Sequence, residues 1–545
     1  MKTVVIPSAG LGTRLDEFTK NYNKAMCTLG PKPVISYIIE KFTKEDEIII
    51  LLGYKGDLLR QVISTCYPHW NIKFVEVNNF QGPGSGLGYS LSCAKHLLQK
   101  PFIFWSNDSI IDDDISKLDY EHNFIILAEF REQKADSYRH ARIGKYQVQN
   151  ILPKGEYNKE NTLPYIGISY IKDYQAFWHV QENMYDLFVQ AGESAGLNNL
   201  SDIRYYITKS WIDTGNKEEL IAAKKKFSND MEMTILEKPD EAIWFFDNRV
   251  IKFHIDPTFI EGRIKRFNTL VNDSMRLNGI RIPTLLSYTK NTYTYEKASG
   301  KIMSKEVTPE SFLSMISAFL KNIKIKEVND NYKINIYKDF YKEKTLSRIE
   351  KYCKVMEELD NPCVINGLYC QPVKNIILNI DWKNISKNAI ISDNYHGDFH
   401  LENILINKDK EKPEYILLDW RQNFGKTEDG DIYYDLAKML HSLIVNHEIV
   451  KNNNFNVIQK SNGEYRIDIY RTFIDTECEE QFKMFLTNNG YDYNFVQFLT
   501  AIIFLNIAIC HIGNYAVFLF YLGKYLLNKF ISVNKEYLIM YATKR

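Results

Sequence analysis

The sequence predicts two folded domains of different class: an α/β domain on an open, mostly parallel sheet, then an α+β domain with a small β lobe and a large α lobe. Three observations predict this. The chain has 545 residues, too many for one ordinary core. Its first half alternates β-rich runs with helical patterns, whereas the second half has a few early strands and then long helical stretches. Between the halves, around Lys224–Asp240, the chain becomes charged and reaches Pro239. That stretch sets the expected domains at 1–230 and 238–545, the second divided into lobes of about 238–298 and 299–545.

The elements follow in order. Lys2–Pro7 is a β-rich run ending in a glycine loop, and Val34–Phe42 has a helical pattern. Glu47–Leu52 reads as a strand, Leu58–Thr65 as a helix and Ile72–Val77 as a strand. Leu87–Leu98 is helical, and Pro101–Trp105 and Phe124–Ala128 are strands. In such a sheet ligands bind beyond the carboxyl ends of the strands, where the glycine loop, Asn107-Asp108 and Gly82–Gly86 fall. Beyond the boundary, Ala242–Phe246, Arg249–His254 and Tyr293–Lys297 are strands, and Asn403–Ile406 with Tyr415–Leu418 resembles a hairpin in a helical background.

Composition narrows the partners. Lys+Arg and Asp+Glu are both 68, so no net charge draws the chain to nucleic acid or an acidic membrane, and small-molecule substrates are expected. Eight scattered cysteines without a C-x-x-C pair, Cys27, Cys66, Cys93 and Cys510 among apolar neighbours, read as reduced, buried thiols. With no signal-peptide pattern in MKTVVIPSAG, they indicate a cytoplasmic protein. Thr500–Gly523 carries no formal charge and is long enough to span a bilayer, but Asn506, His511 and Asn514 interrupt it. Two buried helices are expected there rather than a membrane span, and oligomeric state is not legible.

The first motif is Ser8-Ala9-Gly10-Leu11-Gly12-Thr13-Arg14-Leu15. Glycines let backbone N–H groups approach a triphosphate, and Arg14 adds a fixed positive charge. Lys24 lies just downstream in Asn23-Lys24-Ala25-Met26, Asp108 ends a strand, and Asp213 sits in Trp211-Ile212-Asp213-Thr214-Gly215. This set resembles the nucleotide-sugar pyrophosphorylases and the related phosphocholine cytidylyltransferases over residues 1 to 230, which implies a Rossmann-like nucleotidyltransferase fold. The resemblance implies triphosphate binding by Gly10, Leu11, Gly12, Thr13 and Arg14, phosphate contact by Lys24, and Mg2+ on Asp108 and Asp213. It also implies base contact by Gln81, Gly82 and Gly86 in QGPGSG, and a substrate-phosphate role for Lys154. Ser8-Ala9 replaces the common Gly-Gly, and Asn23 the common proline. Alanine at the second position is like the cytidylyltransferase branch and Trp-Ile-Asp-Thr-Gly like the sugar branch, so CTP and UTP both stay open.

The second motif is His396-Gly397-Asp398-Phe399-His400-Leu401-Glu402-Asn403. Asp398 and Asn403 have the spacing of the catalytic loop in phosphotransferases. Asp398 then orients an acceptor hydroxyl and takes its proton, Asn403 holds one Mg2+, and Asp419, ending the run Tyr415–Leu418, holds another. Upstream, Lys252 centres a strand, Glu261 follows on a helix, and Glu296 lies in the lobe-connecting Tyr295–Gly300. The region resembles the aminoglycoside phosphotransferase and choline kinase family over residues 238 to 545, implying a protein-kinase-like fold that uses ATP. Asp435 in Tyr434-Asp435-Leu436-Ala437 reads as structural. The departure from the family is Asp240–Asn248, which lacks the glycine-rich loop. Tyr433, Tyr434, Trp420, Tyr515 and Phe520 could form a quaternary-amine cage, with core packing as the plainer role.

Together the motifs predict a bifunctional enzyme. It phosphorylates a sugar or polyol with ATP, then couples the phosphate to CTP or UTP with release of pyrophosphate, making a precursor for surface polysaccharide. The alternatives are the same chemistry on choline or ethanolamine, and a nucleotidyltransferase with a non-catalytic binding module.

Overall fold

The structure is a computed structural model; it describes residues 1–130, 132–228, 240–272, 279–354, 356, 358–408, 414–511, 513–535 and 538. The expected boundary near Pro239 falls mostly outside these residues. The chain forms two compact units, Met1–Ile260 with Leu285–Lys297, and Glu261–Thr284 with Ala298–Arg545.

In the first unit Ile72–Glu76, Glu47–Leu52, Thr3–Ser8 and Phe102–Trp105 lie side by side and parallel. Glu47–Leu52 is apolar on both faces because it is central and covered twice. Side chains alternate between two cores: Val4 and Ile6 face one, Val5 the other. Thr162–Ile171 runs antiparallel beside Phe102–Trp105, and also pairs antiparallel with Asn123–Ala128 and Arg139–Ile143. Ile203–Thr208 lies parallel to Asn123–Ala128, and Val148–Ile151 antiparallel to Arg139–Ile143. The nine-stranded sheet is therefore mixed, with strands that the sequence pattern did not announce. Thr3–Ser8 has Glu47–Leu52, the next strand of this sheet along the chain, on one side and the later Phe102–Trp105 on the other, a topological switch point.

The same unit holds a four-stranded antiparallel sheet ordered Glu241–Phe245, Arg249–His254, Thr292–Glu296 and Leu285–Tyr288. Its Ala242, Trp244, Ile251 and Phe253 enter the core that holds Val4, Ala25, Met26 and Leu59. The Trp244 indole donates to Thr28 Oγ1 (3.1 Å), Phe245 N to Pro31 O (2.7 Å) and the Arg249 guanidinium to Cys66 O (2.5 Å). The turn between the first two strands is short, closed by Phe246 N donating to Arg249 O at 2.9 Å.

The second unit is mainly helical around one large core. Thr308 and Thr472 open the helices Pro309–Lys321 and Phe473–Asn488 through reciprocal capping boxes with Ser311 and Asp475. The expected hairpin is Ile404–Asn407 with Glu414–Leu417, flanked by Lys301–Ile302 and Ile280–Arg281. A second four-stranded sheet, Leu368–Cys370, Cys363–Ile365, Glu464–Ile469 and Phe455–Ser461, corrects the expectation of an otherwise helical lobe. Thr500–Gly523 divides between the helices Tyr493–Ala508 and Gly513–Val533, both of which contribute to the core. Gly513–Val533 is long and apolar enough to cross a membrane by length and composition, and 61% of its apolar window is buried within the protein. All eight cysteines are free. Cys27 and Cys66 are buried and Cys93 half-buried, but Cys510 is exposed, against expectation, because it lies in the turn after a helix end.

Candidate functional sites

At the switch point the loop after Thr3–Ser8 is shaped by its glycines. Gly12 adopts φ 68°, and a Cβ there would lie 2.9 Å from Thr19 Cγ2. A Cβ on Gly10 would meet nothing within 4 Å, so that backbone faces open space. Buried Asn23 ties the loop to its neighbours: its amide donates to Ser8 O and Tyr54 O, both at 2.8 Å, and its oxygen accepts from Ala25 N at 3.0 Å. This opens the short helix that carries Lys24.

Lys24 Nζ reaches Asp108 Oδ2 at 2.9 Å. Asp213 is brought in by pairing of Ile212–Asp213 with Ser109–Ile110. A Cβ on Gly215 would lie 3.0 Å from Asp213 Oδ1, 3.1 Å from Asp108 Oδ2 and 3.5 Å from an Arg14 guanidinium nitrogen, so these three residues converge. Asp213 also accepts from Gly215 N (2.7 Å) and the Tyr138 hydroxyl (2.8 Å). Burial pushes the Asp108 carboxyl up, but Lys24, the Ser106 hydroxyl and Arg14 outweigh it and hold it at about 2. The Asp213 carboxyl is raised by burial and by the charge of Asp108.

That repulsion suits a divalent cation. Two carboxylates with triphosphate oxygens match the habit of Mg2+, which takes few protein ligands; among the described residues no group of three or more acidic, His or Cys side chains gathers as a fuller cage. Sequence reasoning missed Arg139, Tyr138 and Glu193. Buried Glu193 is raised to about 7 by burial, against the pull of Arg139 and Lys154. Lys154 is held below the usual lysine range by desolvation and then by the charges of Arg14 and Arg139. The Gln81–Gly86 segment is largely exposed, with Gly82 and Gly84 at φ 88° and 75°. Gly86 instead serves packing, because a Cβ there would lie 2.6 Å from Val189 O.

In the second unit Asp398 is clamped by Lys438 (2.7 Å) and lies 3.4 Å from His400 Nε2. The Asn403 amide donates to Asp398 O (3.0 Å) and Oδ2 (3.2 Å). Leu418 N donates to Asn403 O at 2.8 Å, which sets Asp419 next to the loop; Asp419 itself has φ 61°. Asn403 and Asp419 thus offer two oxygen-bearing side chains to Mg2+. Burial raises the Asp398 carboxyl, but Lys438 and His400 hold it well below the usual range. Burial lowers His400, but Asp398 and Glu402 raise it to about 9. Asp435 accepts from His396 N (2.7 Å) and Gly397 N (2.6 Å), a structural role for that residue. Lys438, unremarked in the sequence, lies three residues beyond Asp435 on the same helix face, a readable signal.

Lys252 and Glu296 lie in the first unit, Lys252 opposite Tyr293 and Glu296 opposite Arg249; Glu261 is exposed on the helix Pro257–Asn272 in the second. The five aromatics take the plainer of their two readings and pack in or against the core. The Tyr433 hydroxyl accepts from Asp492 N, Trp420 packs on His396, Tyr515 on Phe455 and Phe520 on Tyr352.

No protein-family model matches the chain. Its sequence is similar to a bifunctional protein GlmU of Methanococcus maripaludis, 24% identical over 258 residues, covering 46% of this chain and 60% of that protein. It is similar to a choline-phosphate cytidylyltransferase of Streptococcus pneumoniae, 29% identical over 162 residues, covering 28% of this chain and 63% of that one. It is also similar to a UTP–glucose-1-phosphate uridylyltransferase of Staphylococcus epidermidis, 29% identical over 206 residues, covering 30% and 68%. The chain thus spans about 60% of the length of the first of these relatives.

Proposed function

We propose that the first unit transfers a nucleotidyl group from CTP or UTP to the phosphate of a sugar, polyol or amino alcohol, releasing pyrophosphate. The observation that carries this reading is the meeting of Lys24, Arg14, Asp108 and Asp213 beside an open glycine backbone at the switch point. An acceptor phosphate oxygen attacks the α-phosphorus, and pyrophosphate leaves with the bonding electrons. Gly10 and Gly12 offer backbone N–H groups, and Arg14 and Lys24 offset the triphosphate charge. Mg2+, held by Asp108 and Asp213, would supply charge neutralisation and alignment. The similarity to a cytidylyltransferase and a uridylyltransferase supports the reaction class and leaves both bases in play.

The second unit is proposed to phosphorylate an acceptor hydroxyl with ATP, Asp398 taking the proton, Asn403 and Asp419 holding Mg2+. The hydrogen bonds that tie Asn403 to Asp398 and Leu418 to Asn403 support it. The product would then feed the first unit, as in making an activated precursor for surface polysaccharide. Phosphorus NMR with Mg2+, CTP or UTP, and a pool of sugar, polyol and amino-alcohol phosphates tests the first activity. A new diphosphate ester with free pyrophosphate is expected; no turnover of any acceptor counts against it. ADP formation dependent on acceptor, and lost in Asp398→Asn, tests the second. ATP binding without any phosphorylated acceptor, unchanged by that substitution, would make this unit a binding module.

A further inference from the structure

The surroundings of Asp398 are unusual in charge. Lys438 is buried against it. Arg421 packs on the loop itself, close enough that a Cβ on Gly397 would lie within 2.4 Å of Arg421 Cβ, and its guanidinium is 3.5 Å from the Tyr434 hydroxyl. Arg421 also lies 5.2 Å from the centre of the Phe340 ring, and Lys344 Nζ lies 3.9 Å from it. Arg348, one helical turn beyond Lys344, donates to Asn506 O at 2.7 Å. Phe340 sits in a π-helical turn, Tyr337–Glu343, and Lys344 follows at once. Such turns cost regularity and cluster at functional sites.

Among the described residues, Lys344, Arg348 and Arg421 have no carboxylate partner within ion-pair distance, and Lys438 pairs with Asp398. Half-buried cations gathered without counter-charge repel one another. Lys344 records this: burial, then the charges of Arg421, Arg348 and Lys438, push its ammonium down to about 6. The Phe340 ring is already occupied, since it stacks on Phe424 at 3.7 Å and carries the protein's own cations. It has no free face for a quaternary amine.

We infer that the acceptor of the second unit is an anion, a polyol or sugar bearing a carboxylate or a phosphate in addition to the reacting hydroxyl, bound by Lys344, Arg348 and Arg421 beside Asp398. This rests on the proposed kinase reading and narrows it. The acceptor oxygen forms a bond to the γ-phosphorus of ATP, and the bond from that phosphorus to the β,γ-bridging oxygen breaks. The electron pair leaves with ADP, and the hydroxyl proton passes to Asp398. The acid group of the acceptor does not react; it seats the molecule, and its charge restores to Lys344 the proton that burial and its cationic neighbours disfavour.

The test uses the full chain with Mg2+, ATP and matched acceptors: D-glucuronate and glucose 6-phosphate against glucose, D-glycerate against glycerol, and choline as a cation. At least one acid is expected to exceed its uncharged counterpart in kcat/KM a hundredfold, and the choice between glucuronate and glucose 6-phosphate tells carboxylate from phosphate. Lys344→Gln should cut that preference at least tenfold by raising KM, while Lys344→Arg retains it; thermal unfolding of both variants controls for folding. Turnover of glucose, glycerol or choline at least as efficient as that of the acids would overturn the inference and leave the kinase reading standing. If nothing is phosphorylated, calorimetric titration with glucuronate and glucose 6-phosphate decides: binding lost in Lys344→Gln upholds an anion site without kinase activity, and no binding overturns it. Binding abolished by a non-hydrolysable ATP analogue would place the cations on the nucleotide and overturn it as well.

Discussion

Both candidate sites centre on an aspartate clamped by a lysine, Asp108 by Lys24 and Asp398 by Lys438, yet they differ in charge balance. Around Asp108 the cations Arg14 and Lys24 meet Asp213, and the charges of Arg139 and Lys154 are offset by Glu193. Around Asp398, Glu402 is taken up by His400 and Asp435 by the backbone N–H groups of His396 and Gly397, whereas Arg421, Lys344 and Arg348 have no carboxylate at ion-pair distance among the described residues. A mixed set of charges suits a metal–triphosphate, whose own charges are mixed. An excess of one sign suits a ligand of the other. The same Lys–Asp pair thus marks two kinds of site, and its neighbours tell them apart.

The comparison can be broken most sharply by removing one aspartate at a time. Asp398→Asn should lower acceptor phosphorylation by about 10²–10⁴-fold, and Asp108→Ala should lower pyrophosphate release at least ~100-fold. Each should spare the other activity, measured on the same preparation; joint loss would mean the sites are coupled. Next, Trp244→Ala should destabilise the first unit by ~3–5 kcal/mol in denaturant unfolding, although position 244 lies beyond the expected first domain. Asp435→Asn replaces one of two carboxylate acceptors with a donor and should cost ~1–3 kcal/mol in the second unit, with no comparable loss in the first. The smallest effect concerns pH. Glu193 is raised from 4.5 to about 7 in the folded protein, so its contribution is present below about 4.5 and fades as pH rises through 7. Glu193→Gln should flatten the fall in first-unit stability over that window, followed by thermal unfolding.

Much of the first unit was legible because its central strands are plain apolar runs; Glu47–Leu52 and Arg249–His254 fall where the pattern put them. Thr162–Ile171 was hidden by Pro164 and Gly167, which speak against a central strand. Gly167 takes φ 75° at a register shift between Tyr165 and Ile168, and its carbonyl accepts from Ser106 N at 2.8 Å. The irregularity that obscured the strand therefore supports the loop leading to Asp108. The Cys363–Cys370 hairpin turns on Asn366-Gly367, a readable signal, but its pairing with Glu464–Ile469 spans too great a sequence distance for local pattern to reveal. Asp108 and Asp213 were identified by motif order; Arg139 and Glu193 belong to no local motif and converge only through the fold.

Trp244, Ile251 and Phe253 complete a core whose other members begin at Val4. During synthesis the ribosome therefore releases the first unit in an unfinished state. Its last strands, to Lys297, emerge only after the segment Glu261–Thr284 of the second unit has been made. At ordinary elongation rates the stretch from Ser228 to Lys297 takes about 4–14 s, and until its end the edge of Arg249–His254 that pairs with Thr292–Glu296 is open to chaperones.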